Sequence, residues 1–195
     1  MDKNNSKNLL WILLYFIITA VLVELDQISK VLAVNALKGK ADIDIIKGVL
    51  SLSYLENSGA AWGIFSGKIS MFMIITVVML LIISYVVIRI PKNKKYIFLY
   101  IICILLASGA IGNFIDRIRF GYVRDFIYFN LINFPIFNVA DCFVTISVAL
   151  LIIAILFVYK EGDFAFLSLK KKEEPKDSAD VKTSAKDDNR DNLDE

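Results

Sequence analysis

The sequence predicts an all-α membrane protein: four transmembrane helices with a small extracytoplasmic β-sheet and an interfacial loop. Three observations carry that expectation. Of 195 residues, 57% are hydrophobic and only 22% charged, and the mean hydropathy of +0.61 exceeds that of soluble domains. Apolar stretches at about 9–25, 69–89, 96–115 and 140–159 approach or reach the ~20 helical residues needed to cross ~30 Å of hydrocarbon. Lysines and arginines gather at alternate ends of these stretches.

The first stretch is uncharged from Leu9 to Val23 and follows Lys3 and Lys7. A cleaved signal peptide competes with this reading, but no small-x-small site precedes a soluble domain and three more spans follow. The outer loop, about 26–68, is interrupted by Asp42, Asp44, Lys47 and Glu56 and cannot be a span. Within it, Leu50-Ser-Leu-Ser-Tyr54 alternates apolar and polar residues, the period of a half-buried strand, and predicts a small sheet lying on the membrane. Spans two and three are joined by a link carrying Arg89, Lys92, Lys94 and Lys95. Span four is followed by Lys160 and by Lys170, Lys171 and Lys172. By the positive-inside rule these ends and the amino terminus are cytoplasmic. The second outer loop is then about 116–139, and its Phe126–Phe137 segment, broken by Pro135, predicts an irregular aromatic stretch at the headgroups. Residues 1–160 form the membrane domain, and the charged residues 161–195 a cytoplasmic tail too polar to fold.

Several chemistries are excluded. The chain has no histidine, which removes Ser-His-Asp and Cys-His catalysis and histidine-ligated metals. A net charge of +2, from 22 basic and 20 acidic residues, gives no support for nucleic-acid binding. Cys103 and Cys142 fall at different depths, so a disulfide is sterically implausible and packing accounts for both. Gly59, Gly63 and Gly67 lack the strand-loop-helix context of a phosphate loop and read as turn residues. Carboxylates are left as the leading acid-base groups.

Asp26, Asp116, Asp125 and Asp141 all fall near the outer interface, where an ionisable group is costly. Each has a structural explanation beside the functional one. Asp26 and Lys30 have the spacing of a helical ion pair. Asp116 has Arg117 beside it and Arg119 three residues on, and can anchor a turn. Asp141, three residues after Asn138, suits a capped helix start. Asp125 has the weakest structural explanation, with Arg124 as its polar neighbour. Asp125 and Asp141 bracket an uncharged segment that can fold back and bring them together. Two carboxylates in one site cannot both ionise easily, so one stays protonated while the other acts as a base, able to activate water without metal or cofactor. Other pairings of the available acids remain open, as do three other readings. One is a serine-lysine peptidase using Ser58 or Ser29 with Lys30, another is a small transporter, and the third is a structural anchor. The clustering of the acids at one face disfavours the transporter.

Asp26-Gln-Ile-Ser-Lys30, Asn57-Ser-Gly-Ala-Ala-Trp62, Gly112-Asn-Phe-Ile-Asp-Arg117, Val123-Arg-Asp-Phe126 and Phe137-Asn-Val-Ala-Asp141 resemble, in order and spacing, the motifs of the lipoprotein signal peptidase (signal peptidase II) family. The resemblance covers about Leu9 to Tyr159. It implies a monomeric aspartic endopeptidase of the bacterial cytoplasmic membrane, with no cofactor. Its substrates would be diacylglyceryl-modified prolipoproteins, cleaved just before the lipidated cysteine, and its other partner the membrane lipid. On that resemblance Asp125 and Asp141 are the catalytic pair. Asn57, Asn113, Arg117 and Asn138 line or support the substrate site, while Asp26, Lys30 and Asp116 hold it in shape. Arg124 stands where the family commonly has an apolar residue, and Trp62 where phenylalanine is frequent. On an extended segment Arg124 points away from Asp125.

Overall fold

A computed structural model describes residues 3–59 and 68–168, with side chains from residue 8 onward. Trp62, Gly63, Gly67 and the charged residues 169–195 lie outside the described residues. Four helices, α1 (Lys3–Leu37), α2 (Ile69–Arg89), α3 (Ile97–Phe120) and α4 (Val139–Ile153), carry the architecture. A π turn over Ala154–Val158 prolongs α4. Each helical segment is long and apolar enough to cross a membrane, and large apolar side chains such as Leu13, Ile74, Leu81 and Phe157 are exposed, as lipid-facing surfaces require.

α3 is the central helix: half of its most apolar window is buried, against 11% in each of the other three. Its glycines explain the close packing. A Cβ at Gly109 would stand 2.5 Å from the Ala140 carbonyl oxygen of α4, and one at Gly112 would stand 2.5 Å from Oδ2 of Asp26 on α1. Small residues here let helix backbones meet, the usual device where apolar burial cannot drive helices together. Toward the opposite end, Tyr15, Ile83, Leu99, Tyr100 and Cys103 form the main apolar cluster, and Trp11 packs on Tyr100 with ring centroids 5.1 Å apart. Cys103 and Cys142 are both free.

Two elements differ from the sequence reading. The first helix does not give way to a loop at residue 26; it runs on to Leu37. Charges at Asp26 and Lys30 break the hydropathy window, but both residues are fully buried and paired with each other at 2.9 Å. The last turns continue because Ala33 and Leu37 pack against Phe126. The second outer loop is not irregular throughout, since Val123–Phe129 is a strand. With β1 (Ile43–Ile46), β2 (Leu50–Asn57) and β3 (Val123–Phe129), the sheet is three-stranded, antiparallel and ordered β1-β2-β3. β3 is buried from Val123 to Phe126, so both faces are covered and the period-two signal of a half-buried strand is absent.

The ordered chain also extends past residue 160. A 3-10 segment, Glu161–Leu167, folds back onto α2 and the start of α3, where Phe164 and Phe166 join Tyr96 and Tyr159. These aromatics give it a surface to bury.

Candidate active site

Local structure brings two distant aspartates to one end of the bundle. α3 ends at Gly121, whose left-handed conformation (φ 76°) and N–H donating to the Arg117 carbonyl turn the chain directly into β3. β3 pairs with β2 in the register Leu55↔Asp125 and Asn57↔Val123. After β3 a 3-10 turn at Asn130–Ile132 reverses the chain, and Phe137 returns to Ile127, exchanging hydrogen bonds of 3.0 and 2.8 Å. That return delivers Asn138 and the first turn of α4 alongside Asp125. The sequence expectation of a folded-back link is met by this bridge.

Asn138 caps α4. Its side chain accepts the Asp141 amide at 3.1 Å, and Asp141 Oδ2 accepts the Asn138 amide at 3.0 Å, a reciprocal capping box. Its Nδ2 meanwhile donates to Asp125 Oδ1 at 2.5 Å. Asn57 donates to Asp125 Oδ2 at 2.8 Å, and Asn113 donates to Asp141 Oδ1 at 2.7 Å. Each of the four carboxylate oxygens therefore accepts a hydrogen bond from an asparagine. Neutral donors orient the two acids without adding the positive charge that would suppress protonation. Burial, followed by the nearby Asp141 carboxylate, pushes Asp125 up to about 7, against the opposing pull of Asn57, Asn138 and Lys30.

Behind this pair lies a buried charge cluster. Lys30 Nζ is 2.9 Å from Asp26 and 3.6 Å from Asp116, and it donates to Asn113 Oδ1 at 2.9 Å. Asp26 Oδ1 also accepts the Ala140 amide of α4 at 2.9 Å. One lysine thus ties α1 to α3 and, through Asn113, to Asp141. Asp116 is held by Lys30 and Arg124 rather than by Arg117 or Arg119 beside it in sequence. Adjacent side chains on a helix diverge, which accounts for Arg117. Arg117 instead lies over the Phe72 ring at 4.8 Å.

Both aspartates line a pocket of about 570 Å³. Its walls come from α2 (Phe72), α3 (Asn113, Arg117), the 134–137 return and α4 (Cys142, Thr145, Ile146), and its lining is mainly apolar. Of the residues singled out from sequence, Asn57, Asn113, Arg117, Asp125 and Asp141 face this pocket. Asn138, Asp26, Lys30 and Asp116 are fully buried behind it. Two participants carried no assigned role in the sequence reading. Gln27 donates to Asp26, to the Gly112 carbonyl and to Asp116, and Arg124 binds Asp116 and Gln27. Strand parity already turned Arg124 away from Asp125, but nothing in the sequence named its partner. The serine-lysine alternative fits poorly. Lys30 is committed to two carboxylates, and Ser29 Oγ donates to the Asp26 carbonyl at 2.6 Å.

Comparison with known proteins gives a concordant result. Residues 18–157 match the family model described as signal peptidase (SPase) II. A lipoprotein signal peptidase of Enterococcus faecalis is 42% identical over 154 residues, covering 77% of this chain and 94% of that protein. One from Lactiplantibacillus plantarum is 40% identical over 147 residues, covering 75% and 95%. A solved bacterial membrane enzyme structure superposes with a TM-score of 0.65 at 37% identity, covering 80% of this chain and 93% of that one.

Proposed function

The chain belongs to the signal peptidase II family and is a membrane peptidase of the aspartic type, and from that premise we propose that Asp125 and Asp141 cleave signal peptides from diacylglyceryl-modified prolipoproteins. The observation that carries this reading is the placement of both carboxylates on one pocket, each aligned by asparagines. Cleavage falls just before the lipidated cysteine. The active end of the bundle faces the extracytoplasmic side, with both termini in the cytoplasm, as the distribution of lysines and arginines directs.

With Asp125 held up to about 7, the pair retains one proton near neutrality. A water between the carboxylates gives up a proton to the ionised member as it attacks the scissile carbonyl. The protonated member donates a hydrogen bond to that carbonyl oxygen, and the leaving amine is then protonated by the acid formed in the first step. Because the pair titrates as a unit, the proton belongs to the dyad rather than to either residue. Asn57 and Asn113 fix the oxygens, while the capping box fixes Asp141 to the helix start. Arg117, at the pocket wall, presents donors to a lipid or peptide carbonyl. The apolar walls suit an acylated substrate arriving from the bilayer and keep bulk water from the reacting bond.

Purified protein assayed with a lipidated and an unlipidated precursor tests reaction and substrate class together. The lipidated precursor is cut before its modified cysteine and the unlipidated one is spared; equal cleavage of both would refute the substrate assignment.

A further inference from the structure

β3 presents Asp125 to the pocket and the preceding residue, Arg124, to the opposite face. Arg124 is 5% exposed and makes an unusually complete set of contacts with one acid. Its backbone amide and Nε donate to Asp116 Oδ2 at 3.0 and 3.1 Å, and Nη2 donates to Asp116 Oδ1 at 2.7 Å. Nη2 also reaches Gln27 Oε1 at 2.9 Å, and the guanidinium lies over the Phe120 ring at 4.7 Å. One side chain thereby joins the start of β3 to the last turns of α3 and to the outer part of α1. The next residue along the strand is Asp125.

Charge counting assigns it a second task. Asp26 and Asp116 are two fully buried acids, and Lys30 is one fully buried cation shared between them. Arg124 brings the cluster to neutrality. Without it the buried cluster carries one uncompensated negative charge just behind the dyad, and buried charges act on each other strongly.

We propose that Arg124 is a positioning residue for the carboxylate pair, clamping β3 so that Asp125 meets Asp141 and balancing the buried acids behind them. The inference rests on the dyad reading given above. The charged and titratable groups around the pair are Lys30 and Asp26 from α1, Asp116 and Arg117 from α3, and Cys142 from α4. Around Arg124 itself stand Asp116 from α3 and, in the adjoining cleft, Lys38, Tyr54 and Tyr122. Glu56, in register with Arg124 on β2, is engaged by Lys38 at 2.6 Å, which leaves Asp116 as the acid Arg124 serves.

The test uses the full-length membrane enzyme and a lipidated precursor, with Arg124→Gln, Arg124→Lys and Asp125→Asn, reading kcat, KM and the pH profile. Arg124→Gln lowers kcat about tenfold or more with KM within about twofold. It also moves the alkaline limb of the profile upward by about half a pH unit or more, since a lost cation disfavours ionisation of the pair. Arg124→Lys, which keeps the charge but not the forked geometry, returns the limb to the parent position with kcat still reduced. If the glutamine variant fails to fold, the lysine variant decides alone. A parent-like kcat, or an alkaline limb displaced despite the retained charge, overturns the proposal. So does an Arg124→Gln enzyme whose kcat falls while its pH profile stays put, because a purely structural clamp would behave that way. Cleavage retained by Asp125→Asn would condemn the dyad itself. An inactive Asp125→Asn beside an unmoved Arg124→Gln profile condemns only the proposal for Arg124 and leaves the dyad standing.

Discussion

At Asn138 one side chain serves two elements, capping α4 through Oδ1 and holding Asp125 through Nδ2. The first role is legible in the sequence, because an asparagine three residues before an aspartate at the start of an apolar run is a capping pattern. The second is not, since nothing in the spacing says that β3 returns beside the cap. Asp125 shows the same division. Its apolar neighbours mark it as anomalous, whereas its elevation to about 7 depends on burial and on Asp141, both products of the fold. That elevation has a consequence for stability. A carboxyl whose folded pKa is raised favours the folded state below its unfolded value, and the advantage is lost as pH rises through about 7. Asp125→Asn removes the cost of burying the ionised form. The variant should therefore gain several degrees of melting temperature at about pH 8 and clearly less at about pH 5, measured by thermal unfolding in detergent. An equal gain at both pH values would contradict the burial argument.

Among the elements, α3 organises the rest, and its glycines set how near the others come. A Cβ on Gly109 would sit 2.5 Å from a backbone oxygen of α4, which cannot rotate away, and 2.6 Å from Val144 Cγ2. Gly109→Ala should push α4 outward and cost about 1–3 kcal/mol of stability, with activity falling as Asp141 recedes from Asp125. Unchanged unfolding and activity would show that α3 and α4 do not pack this closely. Two elements escaped the sequence for definite reasons. The outer third of α1 is helical because its charges are paired in the interior, within the cluster of Asp26, Lys30, Asp116 and Arg124, and a hydropathy window cannot see such pairing. β3 escaped because a strand buried on both faces does not alternate. By contrast, spans two, three and four have no such internal charges in their apolar cores, and their sequence limits lie within a few residues of the helices observed.

Across the whole molecule the polar chemistry gathers at one end of the bundle and an aromatic clasp at the other. Lys95 pairs with Asp163 at 2.5 Å, and Tyr96 donates to the Asp163 carbonyl at 2.9 Å. Arg89 reaches the carbonyls of Phe166 and Ser168 at 2.8 and 2.6 Å. The Asp163–Ser168 half of this clasp lies beyond residues 18–157, the part matched by the family model. A chain ending at Ser168 should keep the parent melting temperature, whereas one ending at Lys160 should lose several degrees, with the lipidated precursor still cut by whatever fraction stays folded. Loss of activity without loss of stability would give the clasp a role the packing does not suggest. The most direct test of the account is a double-mutant cycle on the cleavage of a lipidated precursor, comparing Asp125→Asn, Asp141→Asn and both together in stably inserted protein. Two carboxylates sharing one proton act as a unit, so each single change should cost at least about a thousandfold in kcat and the double change scarcely more. Substantial cleavage by either single variant, or losses that simply multiply, would contradict it.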